Sequence, residues 1–543
     1  MQGKKDIQTK MLYQLSISDL VPADNFYRQL SKELDLNFLY RQIRKYYGKE
    51  GRESIDPVVF FKICLVGYLN NINSDRQLIR YCGNCIDVRY YLCYDLDEAL
   101  PWHSTISRTR QLYGEEVFLG LFKKVLAKCI EKGMVRGKRQ AMDSAFVKAN
   151  ASLDSLQEKE VLADVEKYSE ELAANSGHKM ATATPPDKSN KTVTKSRQKD
   201  VEQHHDWKKE AYKNMPGHGK KDEGKADGHG NTIRPKYLSN HTHYSTTDPD
   251  ARISVKPGKA RQLNYYAQIA VDDNHHVITG AGADFSDKRD SECLEHIANQ
   301  TIENLSEHDI KVEQLLADTG YSSGKALKYC KEKGIAAYIP NFGQYKHERE
   351  GFIYDQEKDR YECTRGNQAI LPYRKTLTDS KGYTKKIYRS DNSKCKSCPL
   401  RSRCIGKTDF KKIEDSIYKP WYDEMHERLQ SDYAKKIMKK RGSTVEPVLG
   451  TMLNFLNLKR VNTRGIQQAN KHVMMAALTY NLKKYMKYIA KKPTMKAMAF
   501  PKDHEIANQF IDFFKASFEQ LKRAFLRHSF FETKWSKATF CPS

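Results

Sequence analysis

Three carboxylates stand where a metal-dependent reaction could take place. Asp318 ends the apolar run LLA, which predicts a buried strand, and the turn residues Thr-Gly follow it. Asp143 lies within RQAMDSAFV, whose alternating and apolar residues predict a second strand. Glu446 lies among apolar residues at helical spacing, which predicts a helix against a core. If these two strand carboxylates and one helix carboxylate meet, they could hold two divalent metal ions about 3.5–4 Å apart.

The same positions also have an ordinary structural interpretation. An aspartate at the end of a strand commonly caps the turn that follows, so Asp318 alone does not establish chemistry. Asp272 ends another predicted strand in the same way and is a rival candidate ligand. Ligands of open α/β sheets nevertheless gather at the carboxyl ends of the strands, which favours a catalytic position for a carboxylate there.

The remaining segments predict the elements that would position these carboxylates. Residues 15–130 have apolar residues at helical spacing and predict an all-helical region. Residues 236–340 predict strands at ARISVK, NYYAQIAVD and HHVITGAGA, then a helix through SECLEHIANQTIENL, then the Asp318 strand. Residues 341–412 predict short strands with polar turns, and the chain from Ser416 onward is predicted to be mainly helical. This order indicates a mixed α/β sheet flanked by helices.

The stretch after the Asp143 strand differs in composition. SLDSLQEKEVLADVEKYSEEL predicts an acidic amphipathic helix, because Ser155 and Glu158 form a capping-box pair and apolar residues line one side. Residues 176–235 lack large apolar side chains, which predicts either a flexible basic arm that follows DNA or an inert insertion. The histidines in and beside this tract are predicted to be solvated rather than to bind metal: His204, His205, His218, His229, His241 and His243.

Length and charge bound the class of protein. The 543 residues suggest two to four domains, and 93 Lys+Arg against 68 Asp+Glu give a net charge of +25. This excess makes an acidic polymer such as DNA the expected large partner. The start MQGKKDIQTK and the absence of an 18-residue apolar run predict an intracellular, cytoplasmic protein.

Four cysteines have the spacing of a structural zinc site. Cys395 and Cys398 form a C-x-x-C pair, Cys404 follows them, and Cys363 lies earlier in the chain. Four thiolates suit a tetrahedral zinc ion, and a small module with little apolar content would need a bound metal ion to stabilise its fold. Four reduced thiols without a metal are the alternative.

Several segments resemble the DDE motif of bacterial insertion-sequence transposases. They are ADTGYSS around Asp318, the DPDAR segment with the Tyr-rich strand after it, and the segments of Asp143 and Glu446. The resemblance implies an α/β fold with an RNase H-like mixed sheet flanked by helices, an N-terminal all-helical domain and a β-rich insertion. It implies a helical DNA-binding domain at 1–135, a first part of the core at 136–340 with an insertion at 152–236, the cysteine-containing insertion at 341–412, the rest of the core at 413–492 and a helical tail at 493–543.

The resemblance also implies an activity. Such a transposase binds terminal inverted repeats, cleaves the 3′ ends of its element and joins them to target DNA, acting as a homodimer on DNA. Asp143, Asp318 and Glu446 would hold two Mg²⁺ ions, with Mn²⁺ as a possible substitute. Family members commonly carry a Lys about two helical turns after the Glu, and here that neighbourhood reads MLN. The alternative is therefore a catalytically inactive, transposase-derived DNA-binding protein.

Basic residues in two regions are candidate DNA contacts. Arg108 and Arg110 follow the predicted helix start in PWHSTISRTR, where phosphate or groove contact and an ordinary solvated face are both open. Arg441 is positioned like the family's Arg just before the Glu. The remaining candidates follow the Glu446 helix: Lys459, Arg460 and Arg464.

Overall fold

The computed structural model describes residues 16–48, 50, 54–161, 192–193, 239–240, 242–254, 261–343, 345, 347–378 and 382–490. Residues 1–485 form one compact unit and residues 486–543 a second, of which only the end of one helix is described. The predictions for residues 176–191, the basic arm, most of the histidine tract and the tail from Met495 lie outside the described residues. No helix in the described ranges is both long and apolar enough to cross a membrane.

The N-terminal region is helical, as the apolar spacing predicts. Its helices are α1 Ile17–Leu20, α2 Phe26–Glu33, α3 Phe38–Ile43, α4 Pro57–Leu69, α5 Asp75–Asn84, α6 Ile86–Leu92, α7 His103–Leu112 and α8 Glu115–Glu131. Asp56 begins α4 by accepting from the N–H groups of Val58 and Val59, at 2.7 and 3.0 Å, with Pro57 at the first position. Most of α4 is buried, so this helix forms the centre of the region.

The central sheet combines antiparallel and parallel strands. Its members are β1 Arg139–Lys148, β6 Arg252–Ser254, β7 Gln262–Asp272, β8 Ile278–Phe285, β9 Gln314–Leu316 and β10 Ala336–Tyr338; short strands β2 Leu156–Glu158, β3 Glu160–Val161, β4 Thr192–Val193 and β5 His243–Ser245 lie outside it. The strand order is β10-β9-β1-β7-β6, with β8 also paired to β7. β1 is antiparallel to β7 and parallel to β9, and β10 is parallel to β9. The helices α9 Asp290–Ser306 and α10 Gly324–Glu332 connect β8, β9 and β10.

One edge of β1 is open where Asp143 lies. β9 pairs with β1 only from Arg139 to Ala141, and the next partner on that side is a single bridge between Lys148 and Arg460. On the other side, β7 pairs along the whole stretch and places Ile269 opposite Asp143. In the described part of the chain, no strand therefore covers β1 between these two points.

A second sheet contains the cysteines. Its strands are β11 Phe352–Asp355, β12 Arg360–Cys363, β13 Ile370–Thr378, β14 Thr384–Arg389 and β15 Lys412–Ser416, and the helices α11 Asn392–Lys396 and α12 Arg401–Cys404 lie between β14 and β15. The five strands pair in chain order, each antiparallel to the next. Tyr361, Leu371, Tyr388 and Ile413 form its small core. The strands predicted in FIYDQEKDRYECTRG, RKTLTD and TKKIYRS are confirmed, whereas DNSKCKSCPLRSRCIG, also predicted to form strand, forms the helices α11 and α12. β15 follows them and ends at Ser416.

The C-terminal part of the chain carries the Glu446 helix. Its helices are α13 Lys419–Gln430, α14 Asp432–Phe455 and α15 Ile466–Ala490. Ser431 caps α14 by accepting from the N–H of Ala434 at 3.2 Å. The buried His472 of α15 contacts the hydroxyl of Tyr68 of α4 at 2.7 Å, which joins the N-terminal helices to the core. Burial lowers the pKa of His472 to about 4, so its imidazole is neutral in this joint.

Two sequence predictions in the insertion differ from the structure. The predicted acidic helix begins instead with the short 3₁₀ turn Leu153–Ser155 and strand β2, because the chain pairs with β5 from Leu156 to Glu158. Tertiary pairing therefore overrides the capping-box pattern here. His243, predicted to be solvated, is buried in β5.

Candidate active site

Asp143 lies on the open edge of β1 beside a cation. Its Oδ1 accepts from the N–H of Ser144 at 2.8 Å, and its Oδ2 lies 3.2 Å from a guanidinium nitrogen of Arg441. Burial raises the pKa of the Asp143 carboxyl and the charge of Asp318 adds to the increase, while the Ser144 N–H and Arg441 oppose it. β1 and β9 are parallel and pair Ala141 with Leu316, so Asp143 and Asp318, each two residues further along, lie in one neighbourhood.

Asp318 follows β9 and caps the turn after it. Its Oδ1 accepts from the N–H of Gly320 at 2.9 Å at the start of the 3₁₀ turn Thr319–Tyr321. The structural interpretation of this residue is therefore correct. It does not exclude chemistry, because this hydrogen bond uses only one of the two carboxylate oxygens.

Glu446 approaches from α14, and Arg441 of the same helix lies between the carboxylates. A guanidinium nitrogen of Arg441 is 3.9 Å from Oε1 of Glu446, and another is 3.2 Å from Asp143. The Glu446 side chain is 66% exposed, whereas that of Arg441 is 12% exposed. Arg441 is thus held in place, and this one cation contacts both Asp143 and Glu446.

A fourth carboxylate, which the sequence did not reveal, lies next to Asp318. Oδ1 of Asp290, the first residue of α9, accepts from the hydroxyls of Ser144 at 2.5 Å and Tyr266 at 2.6 Å. A Cβ on Gly320 would lie 2.6 Å from Oδ2 of Asp290 and 3.0 Å from Oδ1 of Asp318. Both carboxylates therefore lie close to the position that a Cβ of residue 320 would occupy. An acidic residue in the first turn of a helix ordinarily indicates only a favourable dipole interaction, so no local pattern distinguishes Asp290 as a site residue.

The donor chemistry of the site fits a hard divalent cation. Carboxylate oxygens are the ligands that Mg²⁺ and Mn²⁺ prefer. Within the described residues, no three His, Cys, Asp or Glu side chains are grouped closely enough to hold a metal ion as they stand. Arg441 contacts Asp143 and Glu446 and balances their charge in this arrangement. The side chains of Asp143, Asp318 and Glu446 could each supply carboxylate oxygens to such a cation.

Asp272, the rival ligand, has a structural role. It is fully buried and accepts from the backbone N–H groups of Gly137 at 2.6 Å and Asn274 at 3.0 Å, and from the side-chain amide of Gln140 at 3.2 Å. A carboxylate with its oxygens engaged in this way fixes the loop before β1.

The basic candidates divide into exposed and buried residues. Arg110 forms a two-point ion pair with Asp75 at 3.0 and 2.8 Å, and its side chain is 12% exposed. Arg110 is predicted by the sequence to contact DNA, but its guanidinium is bound to Asp75 inside the helical region, so its role is structural. The other candidates outside the carboxylate site are exposed: Arg108, Lys459, Arg460 and Arg464.

The four cysteines of the predicted zinc site border a single small cavity. Cys363, Cys395, Cys398 and Cys404 all line it. In the arrangement seen, Sγ of Cys363 donates to the carbonyl of Arg365 at 2.7 Å and Sγ of Cys395 lies 3.0 Å from Oγ of Ser390. Within the described residues, these four cysteines are not grouped closely enough to hold a metal ion as they stand. Zinc binding would therefore require these thiols to exchange their present partners for the metal.

Protein purified without chelator should contain about one zinc ion per chain, because four thiolates make one closed site. A variant with both Cys395→Ser and Cys398→Ser should lose this zinc in elemental analysis. Cys93→Ser, which changes an exposed thiol outside the second sheet, should retain it. Zinc-free wild-type protein, or zinc retained by the double variant, would contradict the prediction.

Asp143 and Asp318 come from two neighbouring strands and Glu446 from a helix, and carboxylates placed in this way would suit metal-assisted phosphoryl transfer. Two family models match the chain: a transposase domain (DUF772) at residues 15–112 and a transposase DDE domain at residues 362–486. Both matched regions are transposase domains, so over these residues the chain is similar to insertion-sequence DDE transposases. The second match includes Glu446, while Asp143 and Asp318 lie outside both matched ranges.

The other comparisons add little. No curated protein matches the chain. A solved structure that matches is the cryo-EM structure of piggyBac transposase in a synaptic complex with hairpin DNA, at 8% identity, with a TM-score of 0.21 and coverage of 86% of this chain and 80% of that one. A TM-score this low supports no conclusion about the present chain.

Proposed function

We propose that this protein binds the terminal inverted repeats of an insertion sequence, cleaves the 3′ ends and joins the freed 3′-hydroxyls to target DNA. The observation that carries the proposal is the meeting of Asp143, Asp318 and the Arg441–Glu446 pair at the open edge of β1. Similarity to the DDE transposases supplies the substrate class.

The central sheet supports an RNase H-like core for this reaction. Three antiparallel strands, β8, β7 and β1, are followed by two strands parallel to β1, with helices in the connections. This order places the first aspartate in the middle of the sheet and the second at the end of the adjacent strand. The predicted domain boundaries, which assign residues 136–340 and 413–492 to this core, are part of the proposal.

Each side chain has a separate task. Asp143, Asp318 and Glu446 would hold two Mg²⁺ ions, which, when bound, lower the pKa of an attacking water or hydroxyl and take up charge on the leaving oxygen. Arg441 opposes the effect of burial on the pKa of Asp143 and can also donate to a phosphate oxygen. Asp290 fixes Ser144 and Tyr266 and limits the movement of Asp318.

DNA binding would rest on the positive charge. A net charge of +25 attracts the phosphate backbone, and Arg108, Lys459, Arg460 and Arg464 are exposed to it. Because two transposon ends must be joined in one reaction, a homodimer on DNA is the expected assembly. A protein that acts on the chromosome would work in the cytoplasm beside the nucleoid.

The direct test is incubation of the purified protein with Mg²⁺ and duplexes that carry the sequences flanking its gene. We expect cleavage at the 3′ end of each inverted repeat, mapped to the nucleotide, followed by joining to a target plasmid. Specific binding to those duplexes without cleavage at any divalent metal concentration would instead establish the inactive DNA-binding protein. The neighbourhood Met452-Leu453-Asn454, where the family commonly has a Lys, favours that second candidate.

A further inference from the structure

A wide groove begins beside the carboxylate site. It runs along the uncovered edge of β1, between the end of the Glu446 helix and the loop after α4, and its empty volume including the solvent at its mouth is ≈ 1760 Å³. Ala145 in its wall is two residues, about 7 Å, beyond Asp143 on the same strand. Leu453, also in the wall, is two helical turns, about 11 Å, beyond Glu446. The groove is therefore continuous with the site that would cut DNA.

The lining has an unusual chemistry. It contains three cations, Lys148, Lys459 and Arg460, and six side-chain amides, while none of the described residues that line it is an Asp or Glu. The cations are exposed at the end of the groove away from Asp143, where the chain bridges β1 at Lys148. Of the amides, Gln262 and Asn454 are exposed. One aromatic ring, Phe146, lies in the same lining.

Other amides of the lining hold the two walls together. The side chain of Asn71 donates to the carbonyl of Asn454 at 3.1 Å, and that of Asn73 donates to the carbonyl of Arg460 at 3.0 Å. The backbone N–H of Asn457 donates to Asn71 at 2.8 Å. These bonds fix the width of the groove before any ligand arrives, which favours binding of a strand of defined size.

We propose that this groove binds an unpaired DNA strand next to the phosphate that is cut, with the cations on its phosphates and the amides on its base edges. A protein reads a duplex by inserting a projecting element into a DNA groove, whereas a concave surface receives a strand whose bases have left the stack. A positive groove with an aromatic ring is the usual form of a single-strand site. Side-chain amides offer a donor and an acceptor together, the pair that matches adenine N7 and N6. The inference deepens the proposed function, because it names the form of DNA that the same site holds.

The test measures binding alone, with fluorescein-labelled dA12 and dT12 strands, Ca²⁺ in place of Mg²⁺, and anisotropy at several salt concentrations. Lys148→Ala with Lys459→Ala should lower the slope of log affinity against log salt by about 1.4, since each lost phosphate contact on a single strand removes about 0.7. Gln262→Ala with Asn454→Ala should leave that slope unchanged and remove the preference for dA12 over dT12. The matched controls are Lys132→Ala with Lys328→Ala and Gln111→Ala with Gln430→Ala, which change exposed residues elsewhere.

The outcomes separate this inference from the proposed function. Binding of single strands that is weakened equally by groove and control variants, or a wild-type chain that binds duplex and not dA12, overturns the groove assignment whether or not the protein cleaves DNA. If wild-type protein fails to cleave its terminal repeats while the groove variants behave as described, the catalytic proposal fails and the groove remains a single-strand site.

Discussion

Asp143→Asn, Asp318→Asn and Glu446→Gln should each reduce Mg²⁺-dependent cleavage of the terminal repeats by at least about a hundredfold. Each substitution removes one charge that a divalent ion needs, and replacing even a group that only orients a metal ligand costs about 10–100-fold. Binding to the end duplex in Ca²⁺ should stay close to wild type, because the basic surfaces are unchanged. The measurement is single-turnover cleavage of labelled end duplex, alongside the binding curve.

Asp432→Asn is the matched control for this series. Asp432 begins the same helix as Glu446, and its side chain is fully exposed, so its loss should leave the cleavage rate near wild type. Mg²⁺ should also raise the melting temperature of the wild-type protein, because an ion that binds only the folded state stabilises it. That rise should be smaller in the three variants. A variant that cleaves at the wild-type rate and keeps the Mg²⁺ shift would remove its residue from the ligand set.

The sequence located the three carboxylates because each depends on a local pattern. Asp143 and Asp318 follow from strand patterns, and Glu446 follows from helical spacing, all within a few residues of the side chain itself. Local patterns could not show which distant residues contact these carboxylates, and the structure does. The bond between Asp143 and Arg441 joins residues almost 300 positions apart, and only the folded chain shows that one cation serves both Asp143 and Glu446.

Burial explains the predictions that changed. Arg110 and Arg108 have the same local signal in the same helix, but Arg110 points inward to Asp75, a residue of α5, and Arg108 points outward. Asp272 and Asp318 both follow strands, yet Asp272 is buried on the backbone N–H groups of the loop before β1, whereas Asp318 caps its own turn and lies near Asp143 on the neighbouring strand. The local sequence shows that a charged side chain occupies such a position, but it does not show which group the side chain contacts. Its partner is set by tertiary contacts that come from distant parts of the chain.

Gly320→Ala should reduce cleavage by about a hundredfold, the cost of shifting catalytic groups by an ångström, although the backbone at this residue needs no special conformation. The new methyl group would begin 2.6 Å from Oδ2 of Asp290 and 3.0 Å from Oδ1 of Asp318, so at least one carboxylate must move. The contact with Asp290 is the shorter one, and Asp290 can give way only by disturbing its hydrogen bonds with Ser144 and Tyr266 beside Asp143. Gly343→Ala is the control, because a Cβ there meets nothing within 4 Å.

Adding Asp290→Ala to Gly320→Ala removes the closer contact, and it should restore part of the lost rate if Asp290 acts only by positioning its neighbours. If Gly320→Ala cleaves as fast as Gly343→Ala, with both variants melting like wild type, the packing of two carboxylates around residue 320 does not set the geometry of the site.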